Sequence, residues 1–253
     1  MIKKIIVSFF IISIFHSKAQ SNTKFLDKYN KLNFEIGIAY FYGSKTSTIP
    51  SSINYRYINY TSPRFGLHYD FLQIRQFNFK IGISTFLLQE IDEHYFSKEE
   101  TVLDYDIKKR YITTSGDWQF NMPITVEYIT YLPKSKLSFN ASFIIGYQDY
   151  SYGETEFEIG NNNETASFKG EYSRGNNAWH PSTQIGIGMY FPFKKWMLRT
   201  NLYYNIMLEK MYEGTFEFRG LRQSPDIDGT YSFSGNSFGI EFSIYLAKRK
   251  KKQ

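Results

Sequence analysis

His68 and Asp70 stand two positions apart in RFGLHYD, residues 64–70, where apolar side chains take every second place. An extended backbone sends residues i and i+2 to the same face, so an imidazole and a carboxylate share one side. A histidine oriented by a carboxylate is a general base with its partner. The same side also carries cations, and membership of a structural ion-pair network is the reading we adopt; no catalytic residue is expected. Asp92, Glu93, Glu99, Glu100, Asp104 and Asp106 crowd one charged segment, with Asp226 and Asp228 in another. Hard cations need several oxygens converging at defined spacing, and no such spacing is present. Lys98, Lys108, Lys109 and Arg110 intervene, which favours a solvated surface of mixed charge over a metal site. With no cysteine, zinc motif, glycine-rich phosphate loop or nucleic-acid signature, no metal or cofactor is expected.

The elements that hold these residues are strands. In 137–147, LSFNASFIIGY, Leu137, Phe139, Ala141, Phe143, Ile145 and Tyr147 share a face opposite Ser138, Asn140, Ser142 and Gly146. Across the connection 133–136 the pattern runs backwards through 120–132, with Phe120, Met122, Ile124, Val126 and Tyr128 against Asn121, Thr125 and Glu127. That is a hairpin with one apolar face, and strands of about 11–13 residues suit a tilted crossing of a bilayer. The same alternation marks strands at 33–42, 64–72, 77–88, 183–191, 196–207 and 238–246. Short connections near 73–76, 133–136 and 192–195 alternate with long polar excursions over 43–63, 89–117, 149–181 and 209–237. The fold class expected is all-β: an eight-stranded antiparallel transmembrane up-and-down β-barrel with long extracellular loops. Thr155, Phe157 and Ile159, Phe216 and Phe218, and Tyr231 and Phe233 keep alternating within the excursions, so strands should run on above the membrane as hairpins.

Aromatic residues make up 19% of the 253 positions, yet mean hydropathy is −0.42. That combination suits aromatic girdles around a polar interior better than a bundle of membrane helices, and no segment has about 18 continuous apolar residues. Trp118, Trp179 and Trp196 fall at strand ends, where an interfacial belt is expected. Residues 1–20 read as a signal peptide: Lys3-Lys4, an apolar run too short to span, then Ser17-Lys18-Ala19. Residues 21–247 form the barrel and 248–253 a basic, solvated tail. The net charge of +6 misleads, because eight of the 30 basic residues lie in positions 1–20 and 248–252. Residues 21–247 hold 22 Lys and Arg against 24 Asp and Glu, so the basic balance is no argument for nucleic acid.

A soluble eight-stranded barrel would turn its apolar face inward. If the polar face is inside instead, the lumen holds Glu35, Arg64, His68, Asp70, Lys80, Glu127, Arg199 and Glu241. Three fixed cations and four carboxylates nearly cancel, as charges removed from water must. Gly37, Gly66, Gly82, Gly186, Gly188 and Gly239 relieve crowding between them. Strand length, targeting peptide and alternating loop lengths then share one cause, so the membrane arrangement is preferred.

Ala19-Gln20, Phe120-Asn121-Met122-Pro123-Ile124, Gly186-Ile187-Gly188 and the closing alternation of 238–246 carry a resemblance to small outer-membrane barrels. The chain resembles the OmpA/OmpX type, and especially porin-like and PorT-like barrels. It departs from them at 247–253, a basic run where such barrels often end on an aromatic residue. His180-Pro181-Ser182 has the His-x-Ser spacing of barrel lipid A deacylases, interrupted here by proline. The resemblance implies an outer-membrane location in a diderm bacterium, with both termini periplasmic. It implies contact with the bilayer and lipopolysaccharide, and assembly by the barrel-assembly machinery. The function expected is non-enzymatic: a barrel with a plugged polar lumen acting as a surface scaffold, an interaction protein or an envelope protein, with secretion machinery as one setting. A narrow porin is the alternative, and a barrel-embedded lipid hydrolase a third reading.

Overall fold

The computed structural model describes residues 23–42, 53–57, 59–96, 107–131, 135–148, 152–161, 164–173, 179–219 and 227–248. Residues 1–20, read as a signal peptide, and residues 249–253 of the basic tail lie outside the described residues. A 3-10 helix, Thr23–Lys28, leads into β1 (Tyr29–Phe41). Then come β2 (Ile53–Tyr57), β3 (Tyr60–Ile74), β4 (Phe77–Phe96), β5 (Ile107–Tyr131) and β6 (Lys136–Tyr147). The excursion strands β7 (Tyr152–Asn161) and β8 (Glu164–Ser173) precede β9 (Trp179–Pro192) and β10 (Trp196–Met207). Two more excursion strands, β11 (Tyr212–Arg219) and β12 (Ile227–Phe233), precede the closing β13 (Ser237–Ala247).

Eight strands close on themselves in the order β4-β3-β1-β13-β10-β9-β6-β5, and β5 pairs back onto β4. Every neighbouring pair is antiparallel. The protein is therefore an eight-stranded antiparallel transmembrane barrel, which leaves no barrel edge to be capped. Period-two alternation sorts its sides. Phe34, Ile36 and Ile38 are more than half exposed on the outer wall, while Asn33, Glu35 and Ala39 on the other parity are buried. Ile83 is 61% exposed and Glu127 0%, which is the reverse of a soluble barrel and the arrangement that a lipid solvent requires.

Pro123 sits inside β5, where it cannot donate to a ladder. The β4–β5 register passes from Ile81↔Ile124 to Ser84↔Asn121 without pairing Pro123, so the missing donor falls at a gap. Pro63 similarly lies just before the β3–β4 ladder begins at Arg64, and there the Leu87 amide donates to the Ser62 hydroxyl at 3.0 Å.

Two features differ from the sequence reading. Residues 89–96 and 107–117, read as part of a long charged excursion, continue β4 and β5 in register out to Phe96↔Ile107. Beyond a membrane both faces of a ribbon can be solvated, so charged residues do not end a strand and alternation disappears. His180 and Pro181, read as the end of the 149–181 excursion, lie with Ser182 within β9. Above the barrel, β2 extends the β4–β5 ribbon, and β12-β11-β8-β7 form a separate four-stranded sheet.

Candidate functional site

The inward parity of six barrel strands places the charged residues in one lumen. Glu35 comes from β1, Arg64, His68 and Asp70 from β3, Lys80 from β4, Glu127 from β5, Arg199 from β10 and Glu241 from β13; all eight are buried. They form two groups. In the first, Glu127 accepts from Arg199 Nε at 2.8 Å and pairs with Lys80 Nζ at 2.6 Å. The Tyr190 hydroxyl donates to the same carboxylate at 2.5 Å, and Lys80 also donates to the hydroxyls of Tyr190 and Tyr245 at 2.9 and 3.1 Å. Two cations and a phenol thus satisfy one carboxylate, the condition for holding it out of water. Asp70 faces Lys80 in the β3–β4 register.

In the second group Arg64 donates through Nη1 to Glu241 at 2.8 Å and to Gln184 Oε1 at 2.9 Å, with Glu35 3.5 Å from its Nε. Asn201 donates to the other Glu241 oxygen at 2.9 Å and accepts from Asn140 at 2.7 Å. His68 Nε2 lies 3.3 Å from Glu35, so the carboxylate nearest the imidazole is on the neighbouring strand, and Asp70 is not its partner. The ring lies over Gly66 and Gly82, where added Cβ atoms would meet its nitrogens at 2.9 and 2.5 Å. A general base needs access to a substrate proton, and His68 is 6% exposed inside a packed lumen. His180 and Ser182 are also inward and buried.

The lumen is closed at both ends. Toward the tight turns, Leu26 of the 3-10 helix packs with Tyr29, Ile129, Tyr190, Met197 and Tyr245, and Phe25 meets Tyr190 edge-on at 5.7 Å. The Tyr29 hydroxyl donates to the Phe193 carbonyl at 2.8 Å, and the Lys248 amide to the Lys28 carbonyl at 2.9 Å, tying the first and last described segments to this plug. Toward the excursions, Phe41 stacks on Tyr60 at 4.9 Å and touches Phe86 and Phe233. Between these layers the described voids are small: about 20 Å3 among Glu35, Arg64, Lys80 and Arg199, and about 10 Å3 among Gln119, Tyr203 and Asn205. Among the described residues, no group of acidic, histidine or cysteine side chains has the arrangement of a metal site.

The tyrosine partners of the ion pairs and the apolar layer built on the 3-10 helix go beyond the plugged polar lumen read from the sequence. Tyr190 and Tyr245 occupy inward positions, but nothing in the alternation distinguishes a hydroxyl that completes an ion cluster. Phe25 and Leu26, set in a polar lead, are the one local signal of a plug.

No family model and no curated protein matches the chain. Among solved structures, it is similar to the outer membrane protein OprG from Pseudomonas aeruginosa at TM-score 0.39 and 7% identity, covering 87% of this chain and 98% of that one. The outer membrane protein AlkL, determined in DMPC bilayers, matches at 0.34 and 11%, covering 89% and 95%. A major outer membrane protein from Thermus thermophilus matches at 0.32 and 7%, covering 86% and 99%. At these scores the likeness says nothing about activity.

Proposed function

We propose that this chain is a non-enzymatic outer-membrane barrel with a closed lumen. It serves as a scaffold that holds β-rich excursions at the cell surface, with both termini on the periplasmic side. The excursions are the part that engages a partner in the envelope or in secretion, as the resemblance to PorT-like barrels implies. Bilayer lipid and lipopolysaccharide surround the wall, and the barrel-assembly machinery inserts it. The observation that carries the reading is the filling of the lumen from end to end by an aromatic layer, two ion-pair groups and an apolar plug. A water needs a void of about 10–15 Å3, so the voids between the described layers have room for isolated waters. A narrow porin would need the Glu127 and Glu241 pairs to part.

The test is conductance of the folded mature chain in a planar bilayer at neutral pH, in moderate and high salt. A silent bilayer, with heat-modifiable migration proving the fold, is the expected result. Stable unit steps that change in Glu127→Ala or Arg199→Ala would replace this reading with the porin. Lipid hydrolysis lost on substituting His180 or His68 would replace it with the hydrolase.

A further inference from the structure

The charge of the chain is divided between the tight-turn rim and the excursions. At the rim that carries the tight turns, the start of β1 and the end of β13, Lys28, Lys31, Arg75, Lys194, Lys195 and Lys248 are exposed, and Asp27 is the one exposed carboxylate among the described residues there. None of the six cations makes an ion pair among the described residues. The sequence continues past Lys248 with Arg249, Lys250, Lys251 and Lys252. The opposite end has the other sign: the excursions 89–117 and 149–181 hold fourteen Asp and Glu against six Lys and Arg.

The rim cations also have exposed apolar neighbours on the outer wall. Lys194 and Lys195 sit between Phe193 and Trp196, whose rings stack at 4.2 Å. Arg75, held at φ 53° in its tight turn, is flanked by exposed Ile74 and Phe77. Lys31 lies 5.9 Å from the Tyr69 ring centroid and 3.5 Å from the Phe71 carbonyl, and Lys248 follows exposed Leu246. A soluble polyanion would be satisfied by the cations alone. A cation directly above an apolar or aromatic side chain fits the boundary between acyl chain and headgroup, where a basic side chain keeps its stem in the apolar zone and its charge among phosphates.

We infer that the tight-turn rim is a binding surface for anionic phospholipid headgroups, recruiting phosphodiester lipids of net negative charge into the leaflet it contacts. Basic residues beside a membrane span each contribute about 1 kcal/mol of attraction to an anionic leaflet. The surface rests on the reading of the chain as a membrane barrel but not on which side of the membrane the rim faces.

The experiment places the folded mature chain in nanodiscs of phosphatidylcholine with a minority of phosphatidylglycerol, and counts lipids retained on gentle release by native mass spectrometry. Phosphatidylglycerol should be retained several-fold over its share of the disc. Neutralising Arg75, Lys194 and Lys195 to Gln should bring retention at low salt down close to the lipid's share of the disc, and added salt should weaken the preference of the unchanged chain. The charge-keeping variant Lys194→Arg/Lys195→Arg should retain it, which separates a charge effect from a folding defect. Retention in proportion to composition, or a preference unchanged by the Gln variants, overturns the inference. So does displacement of the lipid by soluble polyglutamate, which would make the rim a site for a soluble polyanion. A chain that fails to fold into any bilayer overturns the membrane reading itself, and this inference with it.

Discussion

Arg199 on β10 reaches across the lumen to Glu127 on β5, Nε to Oε1 at 2.8 Å, with both side chains buried. The two strands are separated by β9 and β6, so the contact bridges the barrel and does not follow its wall. Lys80 approaches the same carboxylate from β4, the strand on the other side of β5. Three segments of wall are joined through one side chain.

Replacing Glu127 by Gln should therefore cost about 3–5 kcal/mol, because it leaves two buried cations without their counter-charge. Urea unfolding from lipid vesicles, followed by heat-modifiable gel migration, measures it. A loss below about 1 kcal/mol would mean that water reaches Lys80 and Arg199, and the lumen would not be dry.

Gly186 packs where an added Cβ would lie 2.8 Å from Asn201 Oδ1 and from the Leu202 carbonyl, and 2.9 Å from Asn140 Oδ1. Gly186→Ala should separate the Asn140–Asn201 hydrogen bond and destabilise the barrel by about 1–3 kcal/mol, the usual cost of overpacking. The unfolding midpoint of this variant, beside the outward control Ile187→Ala, checks it.

Leu202 is 58% exposed on the outer wall. In water, Leu202→Arg would be nearly free. In a bilayer an outward arginine near the midplane costs about 2–4 kcal/mol. Folding titrations into vesicles should show that loss, and equal stability of the two proteins would count against a lipid-facing wall.

Leu26 is buried in the plug against Tyr190, Met197 and Tyr245. Truncating it to Ala should destabilise by about 2–4 kcal/mol if the plug unfolds with the barrel. A smaller global loss with faster amide exchange at 23–29 would show that the plug opens by itself.

The strands and their sides were legible because lipid outside and a packed lumen inside impose a strict period of two. Phe34, Ile36 and Ile38 cannot trade places with Asn33, Glu35 and Gly37 without turning the wall inside out. The charges were legible only as a shared parity. Which carboxylate meets which cation depends on how far each strand slides along its neighbour as the barrel closes, and no local pattern carries that offset. His68 shows the limit: sequence proximity suggests Asp70, whereas its register partner on β1 is Asn33 and its ring reaches diagonally to Glu35. The prolonged β4 and β5 were missed for the opposite reason. Residues 89–96 and 107–117 mix charged and apolar types without a period of two, although they continue the β4–β5 ladder.

That prolongation sets how far from the bilayer an encounter can begin. Strand β5 runs for 25 residues, and a tilted crossing uses about 9–11 of them. At about 3.4 Å per residue the remainder is a ribbon on the order of 50 Å long before tilt, paired along its course with β4. A mast of that height clears the headgroups, so a partner that grips its far end does so without touching lipid.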